Sequence, residues 1–160
     1  MKQKYIAIRK GKKSYIIGRK FESFVYNIFY DLDKYALKKN VILKKQGFRS
    51  EFDIIYGILR KTYVECKYKS KGYFVTNEEV SVFAKKLDIH KINNSQGIMI
   101  TNAYLTKKAK VICKQSKIKL IERESLEKLN YERLGLLDSI IYTLRKDNRT
   151  LESIINSIKL

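Results

Sequence analysis

The chain has 160 residues, 44% of them hydrophobic, which is enough for one globular domain with a buried core and excludes a disordered tail. It carries 35 Lys and Arg against 16 Asp and Glu, a formal net charge of +19, and an excess of this size indicates a polyanionic partner. The sequence shows no membrane-spanning apolar run and no signal peptide, and its two cysteines lack metal-binding spacing, so we expect a reduced, cytoplasmic protein that does not associate with a membrane.

The first twenty residues contain eight Lys or Arg and no acid. Within them, residues 1–17 are compatible with two short strands around Gly11 or with a flexible basic arm, and the sequence does not separate the two. An arm would contact phosphate groups without sequence preference, and its binding would weaken as salt rises.

A helix is predicted from Arg19 to about Leu37, because apolar residues recur there at three- and four-residue spacing. The stripe consists of Phe21, Phe24, Val25, Ile28, Phe29 and Leu32. Glu22 falls in the first turn of this predicted helix. It is either a solvated acid favoured by the helix dipole or a third carboxylate near a bound metal ion.

A short strand is predicted at 41–45, and a β-hairpin follows at 52–68, with its turn at 57–61. If the turn is centred on Leu59, Asp53 lies opposite Glu65, and both share one face of the hairpin with Lys67. The other face is then predicted to be a core face. It would carry Phe52, Ile54, Tyr56, Val64 and Cys66.

The second half of the chain alternates helices and strands. Thr76 or Asn77 should cap a helix whose apolar side is Val80, Phe83 and Leu87, and His90 just beyond it is expected to be structural. A strand buried on both faces is predicted at 97–101, then a helix capped by Thr106 and ending at Lys117, a strand at 118–121 and a helix from 125. Together with the antiparallel hairpin, this order predicts an α/β fold with a central mixed β-sheet flanked by helices.

The last thirty residues have a different pattern, so we expect a globular domain with a basic N-terminal segment at 1–130 and an amphipathic helical extension at 131–160. Apolar residues from Leu134 to Ile158 follow a heptad repeat with one Asn, Asn148, at a core position. That pattern favours a parallel coiled coil joining a homodimer through 134–158. The alternative is a helical hairpin that breaks at 147–150 and packs on its own domain.

The chemistry open to the chain is narrow, since there is no glycine-rich phosphate loop, no zinc cluster, no nucleophile elbow and only one histidine. Asp53 and Glu65 could hold a hard cation such as Mg²⁺ (or Mn²⁺), with the Cys66 backbone carbonyl as a further ligand. Lys67 would then orient or deprotonate a water, or stabilise charge on a phosphate. These groups fit phosphodiester hydrolysis.

Asp53, eleven intervening residues and then Glu65-Cys66-Lys67, in a strand–turn–strand, resemble the PD-(D/E)xK nuclease superfamily, and within it the Mrr-type restriction endonuclease domains. Residues 18–22, 97–102 and 105–109 extend the likeness, which covers about 18–130. The resemblance implies a restriction-endonuclease-like fold, divalent-metal dependence and DNA cleavage. It also implies that Asp53, Glu65 and Lys67 are catalytic and that Glu22 is the helix-one acid found in many members.

Two other functions stay open. The Glu-x-Lys form and the helix-one Glu are shared with archaeal Holliday junction resolvases, and no proline precedes Asp53. A structure-specific resolvase is therefore the nearest enzymatic alternative. A non-catalytic DNA-binding module, in which the acids relieve repulsion within a basic surface, is the alternative from another class.

Overall fold

The computed structural model describes residues 2–32, 36–144 and 155, with side chains for 13–31, 36–135 and 155. Five strands form one sheet in the order β1-β2-β3-β4-β5. The strands are β1 (Lys38–Lys45), β2 (Phe48–Tyr56), β3 (Thr62–Lys67), β4 (Gly97–Thr101) and β5 (Lys119–Ile121). The helices are α1 (Lys2–Leu32), α2 (Asn77–Ile89), α3 (Lys107–Gln115) and α4 (Arg123–Leu144), with a 3₁₀ turn at Asn94–Gln96.

The sheet is mixed, as predicted. Antiparallel pairing joins β1 to β2 and β2 to β3, whereas β3, β4 and β5 run parallel to one another. Parallel neighbours require crossover connections, and α2 and α3 supply them after β3 and β4 respectively. The strand predicted at 41–45 is confirmed, and in the structure it begins earlier, at Lys38.

The prediction for residues 1–17 is wrong, because from Lys2 onward this segment is the first half of the 31-residue helix α1. Lys, Arg and Gln are good helix formers, and the scattered Ile and Tyr residues suit either a helix or a strand. Gly11 and Gly18 each cost about 1 kcal/mol in a helix interior but do not end it. The helix also stops at Leu32 and does not reach Leu37, since residues 36 and 37 are not helical.

Helices cover both faces of the sheet, and each face has its own apolar core. On one face, α1 and α4 bury Phe21, Phe24 and Leu126 against the sheet. On the other face, α2 and α3 bury Phe83 and Cys113. The central strand β4 serves both cores: Ile98 and Ile100 face α1, Met99 faces α2, and all five of its residues are buried.

One residue of the predicted core face lies on the other side of the sheet. Phe52 does not join Ile54; it packs on the α2 side, where its ring centroid is 5.1 Å from that of Tyr63. The alternation of side chains in β2 therefore breaks at Asp53. The β1–β2 register places Asn40 opposite Asp53, and the left-handed backbone of Asn40 (φ 54°) marks this local irregularity.

The helix signals of the second half are confirmed. Glu79 Oε2 accepts the backbone N–H of Thr76 at 3.0 Å, and Thr106 Oγ1 accepts that of Ala109 at 3.2 Å. Helix α3 ends at Gln115, two residues before the predicted end, because Lys117 turns to φ 59°. His90 caps the end of α2, and its ring packs edge-on against Phe52 at 6.0 Å, which is a structural role.

The C-terminal extension is described only in part. Gly135 (φ 72°, ψ 174°) interrupts α4 directly after Leu134, so the helix is not continuous through the start of the predicted heptad seam. Ile155 is helical and fully buried in the core on the α1 side. Both observations favour packing on the chain's own domain, although most of the predicted seam lies outside the described residues. Among the helices that the structure describes, none is long and apolar enough to cross a membrane.

Candidate active site

The hairpin register brings the first two candidate residues together. Ile54 pairs with Val64 and Tyr56 with Thr62, which is the predicted register, and Asp53 and Glu65 are the next residues along the two strands, one step beyond the last pair. The connecting turn depends on Gly57, which has φ 100° and where a Cβ would lie 2.4 Å from the carbonyl oxygen of Arg60. Only a glycine fits this turn without strain, and the geometry of the turn determines the pairing register of β2 and β3.

Glu65 is the most deeply buried acid of the site, with 3% of its surface exposed. Two ammonium groups hold its carboxylate. Lys67 Nζ lies 2.8 Å from Oε1, while Lys86 Nζ lies 2.9 Å from Oε2 and 3.1 Å from Oε1. A buried carboxylate is tolerated only when it is paired and hydrogen-bonded, and these two lysines meet that requirement.

Asp53 is held beside this cluster by the backbone. Its Oδ2 accepts the N–H of Cys66 at 2.6 Å. Burial, and after it the negative charge of Glu65, raise the pKa of Asp53 to about 7, against the opposing effect of the Cys66 N–H. At neutral pH Asp53 therefore keeps its proton part of the time, because burial disfavours the charged form and the Glu65 carboxylate repels it.

Lys67 responds in the opposite sense to the same surroundings. Burial lowers its pKa, but the Glu65 carboxylate, both through its charge and through its hydrogen bond, outweighs that effect and leaves the pKa of Lys67 raised. The Lys67 side chain is therefore an ammonium in the metal-free protein. In this state it can donate hydrogen bonds and stabilise negative charge, but it cannot accept a proton from water.

Glu22 lies in the interior of α1, so its predicted position in a first helical turn is wrong. Its carboxylate accepts a hydrogen bond from Arg19 Nη1 at 2.9 Å, and the same nitrogen donates to Asn40 Oδ1 at 2.9 Å. Burial raises the pKa of Glu22 despite the opposing charge of Arg19. Arg19 also lies 3.7 Å from Glu51, so it links two acids at the rim of the site.

A cleft of about 350 Å³ opens onto these groups between α1, β2 and α2. Its lining residues are Tyr15, Arg19, Glu22, Glu51, Asp53 and Lys86. The structure therefore brings Glu22 and Asp53 to one cleft, and Lys86 connects that cleft to the Glu65–Lys67 pair. The charge of Glu22 contributes to the raised pKa of Asp53, which also reflects their proximity.

Within the described part of the chain, no three His, Cys, Asp or Glu residues are grouped so as to hold a metal ion. The two-carboxylate arrangement of Asp53 and Glu65 still fits Mg²⁺, which usually takes one or two carboxylates and completes its shell with water and substrate phosphate oxygens. Besides burial, repulsion by Glu65 raises the pKa of Asp53, and a bound cation would relieve that repulsion. The metal contacts of Asp53, Glu65, Glu22 and the Cys66 carbonyl all stay predictions.

Lys86 is the site residue that the sequence reasoning missed. Besides Glu65, its ammonium contacts the carbonyl oxygen of Glu51 at 3.1 Å, so it ties α2 to the edge of β2. A signal was present in the sequence: Lys86 stands three residues after Phe83 and next to Leu87, at the border of the apolar side of α2. A lysine at that border lies close to the sheet and can reach a buried acid.

A five-stranded mixed sheet with helices on both faces and an Asp…Glu-x-Lys hairpin at its centre defines a restriction-endonuclease-like α/β domain. Residues 15–130 match the family model of the Mrr catalytic domain, described as restriction endonuclease. The chain belongs to this family of nucleases. Asp53, Glu65, Lys67 and Glu22 all lie within the matched span.

No curated protein matches the chain. Among solved structures, the chain is similar to a protein of unknown function, AF1548, at 16% identity and a TM-score of 0.54, covering 88% of this chain and 75% of that one. It is also similar to Can2 from Sulfobacillus thermosulfidooxidans in complex with cyclic tetra-adenylate, at 16% identity and a TM-score of 0.49, covering 72% of this chain and 33% of that one. A third similar structure is the MspJI restriction endonuclease in complex with a 27-mer oligonucleotide, at 16% identity and a TM-score of 0.47, covering 98% of this chain and 38% of that one. At these identities, the likeness to AF1548 supports the fold alone.

Proposed function

We propose that this chain is a divalent-metal-dependent DNA endonuclease that hydrolyses phosphodiester bonds at Asp53, Glu65 and Lys67. The observation that carries the proposal is the raised pKa of Asp53 beside the buried carboxylate of Glu65. Two neighbouring acids that repel each other lower the stability of the fold, and such an arrangement is typical of a functional site. The chain belongs to a restriction endonuclease family, which supports this interpretation.

Asp53 and Glu65 would hold Mg²⁺ or Mn²⁺, with the Cys66 carbonyl as a further ligand. When bound, the metal supplies an acidified water and positive charge against the scissile phosphate. Asp53 serves as a ligand only in its ionised form, which dominates above a pH of about 7 in the metal-free protein. Glu22, at the rim of the same cleft, is placed to accept a hydrogen bond from a water in the site.

The two lysines have different roles in this proposal. Lys67 is protonated, so it stabilises charge on the phosphate or orients the attacking water through its N–H groups. Lys86 is a positioning residue: its ammonium holds both oxygens of Glu65 and fixes the direction in which that carboxylate faces. Its anchor on the Glu51 carbonyl keeps the ammonium in place.

DNA is the proposed partner because of the charge distribution. Residues 131–160 hold five basic and four acidic side chains, so +18 of the net +19 belongs to residues 1–130. A polyanion whose phosphates are also the substrate accounts for both the charge and the site.

Plasmid DNA incubated with the purified protein and Mg²⁺ or Mn²⁺ tests the activity. Glu65→Gln and Lys67→Ala should each lower the cleavage rate by roughly 100-fold or more, since each removes a charge that the transition state requires. Glu78→Gln, which changes an exposed acid at the start of α2, is the matched control and should cut like the parent. If Glu65→Gln and Lys67→Ala cut as fast as the parent, the assigned site is wrong.

A panel of linear duplex, methylated duplex and four-way junction separates the alternatives. Preferential cleavage of the junction would identify a Holliday junction resolvase. Metal-independent binding to DNA with no cleavage of any substrate would identify a non-catalytic DNA-binding module. Restriction-type activity predicts cleavage of linear duplex.

The homodimer predicted through 134–158 has a separate test. The interruption at Gly135 and the buried Ile155 support the alternative, in which this segment packs on its own domain. Light scattering on the intact chain decides between them: a mass near 18.9 kDa means a monomer, and twice that value means a dimer.

A further inference from the structure

The segment between β3 and α2 begins directly after Lys67 and is fixed at both ends. At its start, the Asn102 side chain accepts the N–H of Lys69 at 2.7 Å and donates to its carbonyl oxygen at 2.8 Å. At its end, Val75 forms a parallel bridge with Leu105, and the Val75 N–H donates to the carbonyl oxygen of Tyr104 at 3.0 Å. Val75 itself is fully buried.

Between these anchors, residues 70–74 form a tight projection in which five consecutive residues are exposed. The Tyr73 N–H donates to the carbonyl oxygen of Ser70 at 3.1 Å, and Gly72 takes φ 85°, which closes the turn. We call residues 70–74 the aromatic tip, because Tyr73 is 69% and Phe74 50% exposed. Among the described residues, neither ring packs against another ring.

Two consecutive rings exposed to water contribute little to the stability of the fold, because their apolar area is not buried in the core. The backbone on either side of them is held by hydrogen bonds, so little conformational entropy remains to be lost when the rings bind something. A fixed backbone that presents two free aromatic faces is the arrangement expected of a binding surface.

The charges around the tip indicate what it binds. Lys71 is exposed within the tip, and Lys69 stands at its base. Exposed Lys107 and Lys108 open α3, which lies alongside because the Thr106 N–H donates to the carbonyl oxygen of Val75. Exposed aromatic rings with lysines nearby are a common arrangement for binding single-stranded nucleic acid, with the bases stacked on the rings and the phosphates near the ammonium groups.

The tip is also close to the candidate active site. Glu79, which pairs with Lys69 Nζ at 2.7 Å, also contributes to the raised pKa of Lys67, so the base of the tip lies next to the catalytic lysine. Tyr73 follows Lys67 by six residues, which limits its distance to roughly 20 Å even for an extended chain. That distance corresponds to about six nucleotides along one strand of duplex DNA.

We propose that Tyr73 and Phe74 stack on unpaired bases of a DNA strand within a few nucleotides of the cleaved phosphate. The protein therefore favours DNA with a gap, flap or junction near the cut over continuous duplex. The position relative to the cut rests on the proposed nuclease function, whereas the stacking itself does not.

Binding is measured without metal, in EDTA, so that no cleavage occurs. The probes are a duplex with a single-stranded gap carrying 2-aminopurine and the matching continuous duplex. Tyr73→Ala/Phe74→Ala should weaken binding to the gapped probe roughly tenfold or more and abolish the quenching of 2-aminopurine, while binding to continuous duplex changes less than about twofold. Tyr73→Trp and Phe74→Trp should retain both the affinity and the quenching. Phe48→Ala, which removes a 57% exposed ring at the start of β2, is the matched control and should behave like the parent.

Each other outcome overturns the proposal. Equal losses on gapped and continuous DNA would mean that the tip contacts DNA without stacking on bases, and no loss on either would mean that it does not contact DNA. An altered mass in light scattering for Tyr73→Ala/Phe74→Ala would place the tip in a contact between protein chains. Failure of the proposed nuclease function has a different signature, since the parent would bind the gapped probe and quench 2-aminopurine but cut nothing in Mg²⁺ or Mn²⁺.

Discussion

Replacing Asp53 with Asn should stabilise the metal-free protein at neutral and alkaline pH. Burial and the charge of Glu65 raise the pKa of Asp53 from 3.8 to about 7. The unfolded chain loses this proton near pH 4, whereas the folded chain keeps it up to about pH 7. The folded state thus binds more protons over this interval, and its stability falls as the pH rises from 4 to 7. Asn has no proton to lose, so the variant escapes that fall.

The structure sets an upper limit on the effect. The pKa shift spans roughly 3 units at about 1.4 kcal/mol each, so the ionised Asp53 lowers the free energy of unfolding by at most about 4 kcal/mol above pH 7. The Cys66 N–H binds a carboxylate more strongly than an amide oxygen, and the substitution loses that difference. We therefore expect Asp53→Asn to raise the free energy of unfolding by about 2–3 kcal/mol at pH 8 and to leave it nearly unchanged at pH 4.

Urea unfolding followed by circular dichroism, with EDTA present, measures both values. Asp88→Asn, at an exposed position on α2, is the control and should have no effect at either pH beyond about 0.5 kcal/mol. Equal urea midpoints for Asp53→Asn and the parent at pH 8, or the same gain at both pH values, would refute the assignment of a strained, ionisable Asp53.

Three further predictions can be checked with the same protein. Lys86→Met should lower the free energy of unfolding by about 1–2 kcal/mol in urea at pH 7, because the buried carboxylate keeps only one of its two ammonium partners, whereas Lys85→Met at the adjacent exposed position should change it by less than about 0.5 kcal/mol. Gly97→Ala should cost about 1–3 kcal/mol, since its Cβ would lie 2.6 Å from a leucine methyl of α2, whereas Gly18→Ala, with nothing within 4 Å, should gain up to about 1 kcal/mol. Mg²⁺ should raise the melting temperature more at pH 8 than at pH 6, because a ligand carboxyl must first lose its proton, and Asp53→Asn should remove that pH dependence.

The central hairpin could be predicted from the sequence because its information is local. A glycine-containing turn between two strands rich in β-branched and aromatic residues sets which residues face each other, and this gave Asp53 opposite Glu65. The buried strand Gly97–Thr101 was equally readable, since five apolar or small residues between polar segments suit a position covered on both faces. The helix caps at Thr106 and Thr76 are likewise local signals.

The errors lie where distant parts of the chain decide the outcome. Residues 2–17 contain residue types that suit a helix or a strand, and the continuation of α1 beyond Arg19 selects the helix. Strict alternation predicts the wrong face for Phe52, since it fails at Asp53, opposite the left-handed residue Asn40 of the neighbouring strand. No pattern within β2 alone contains that information.

The reach of Lys86 to Glu65 is also non-local, since the two are 21 residues apart. Sequence spacing could mark Lys86 as a residue at the border of the apolar side of α2, but only the packing of α2 over β3 shows which acid it meets. Arg19 is similar: its hydrogen bond to Asn40, 21 residues later, joins α1 to β1.

The protonation states of Asp53 and Lys67 both depend on the buried carboxylate of Glu65. Burial, and after it the charge of Glu65, raise the pKa of Asp53 to about 7, whereas the same Glu65 carboxylate keeps Lys67 protonated against the opposing effect of burial. In the metal-free state, the positive charge that Glu65 requires comes from Lys67 and Lys86, and the charge that Asp53 would need is replaced by a proton. A divalent cation shared by Asp53 and Glu65 would substitute for that proton and reduce the need for two ammonium groups on one carboxylate. One charge balance therefore determines three effects: the pH dependence of stability, the destabilisation on removing Lys86 and the rise in melting temperature with Mg²⁺. A site without metal affinity would show the first two effects but no response to Mg²⁺.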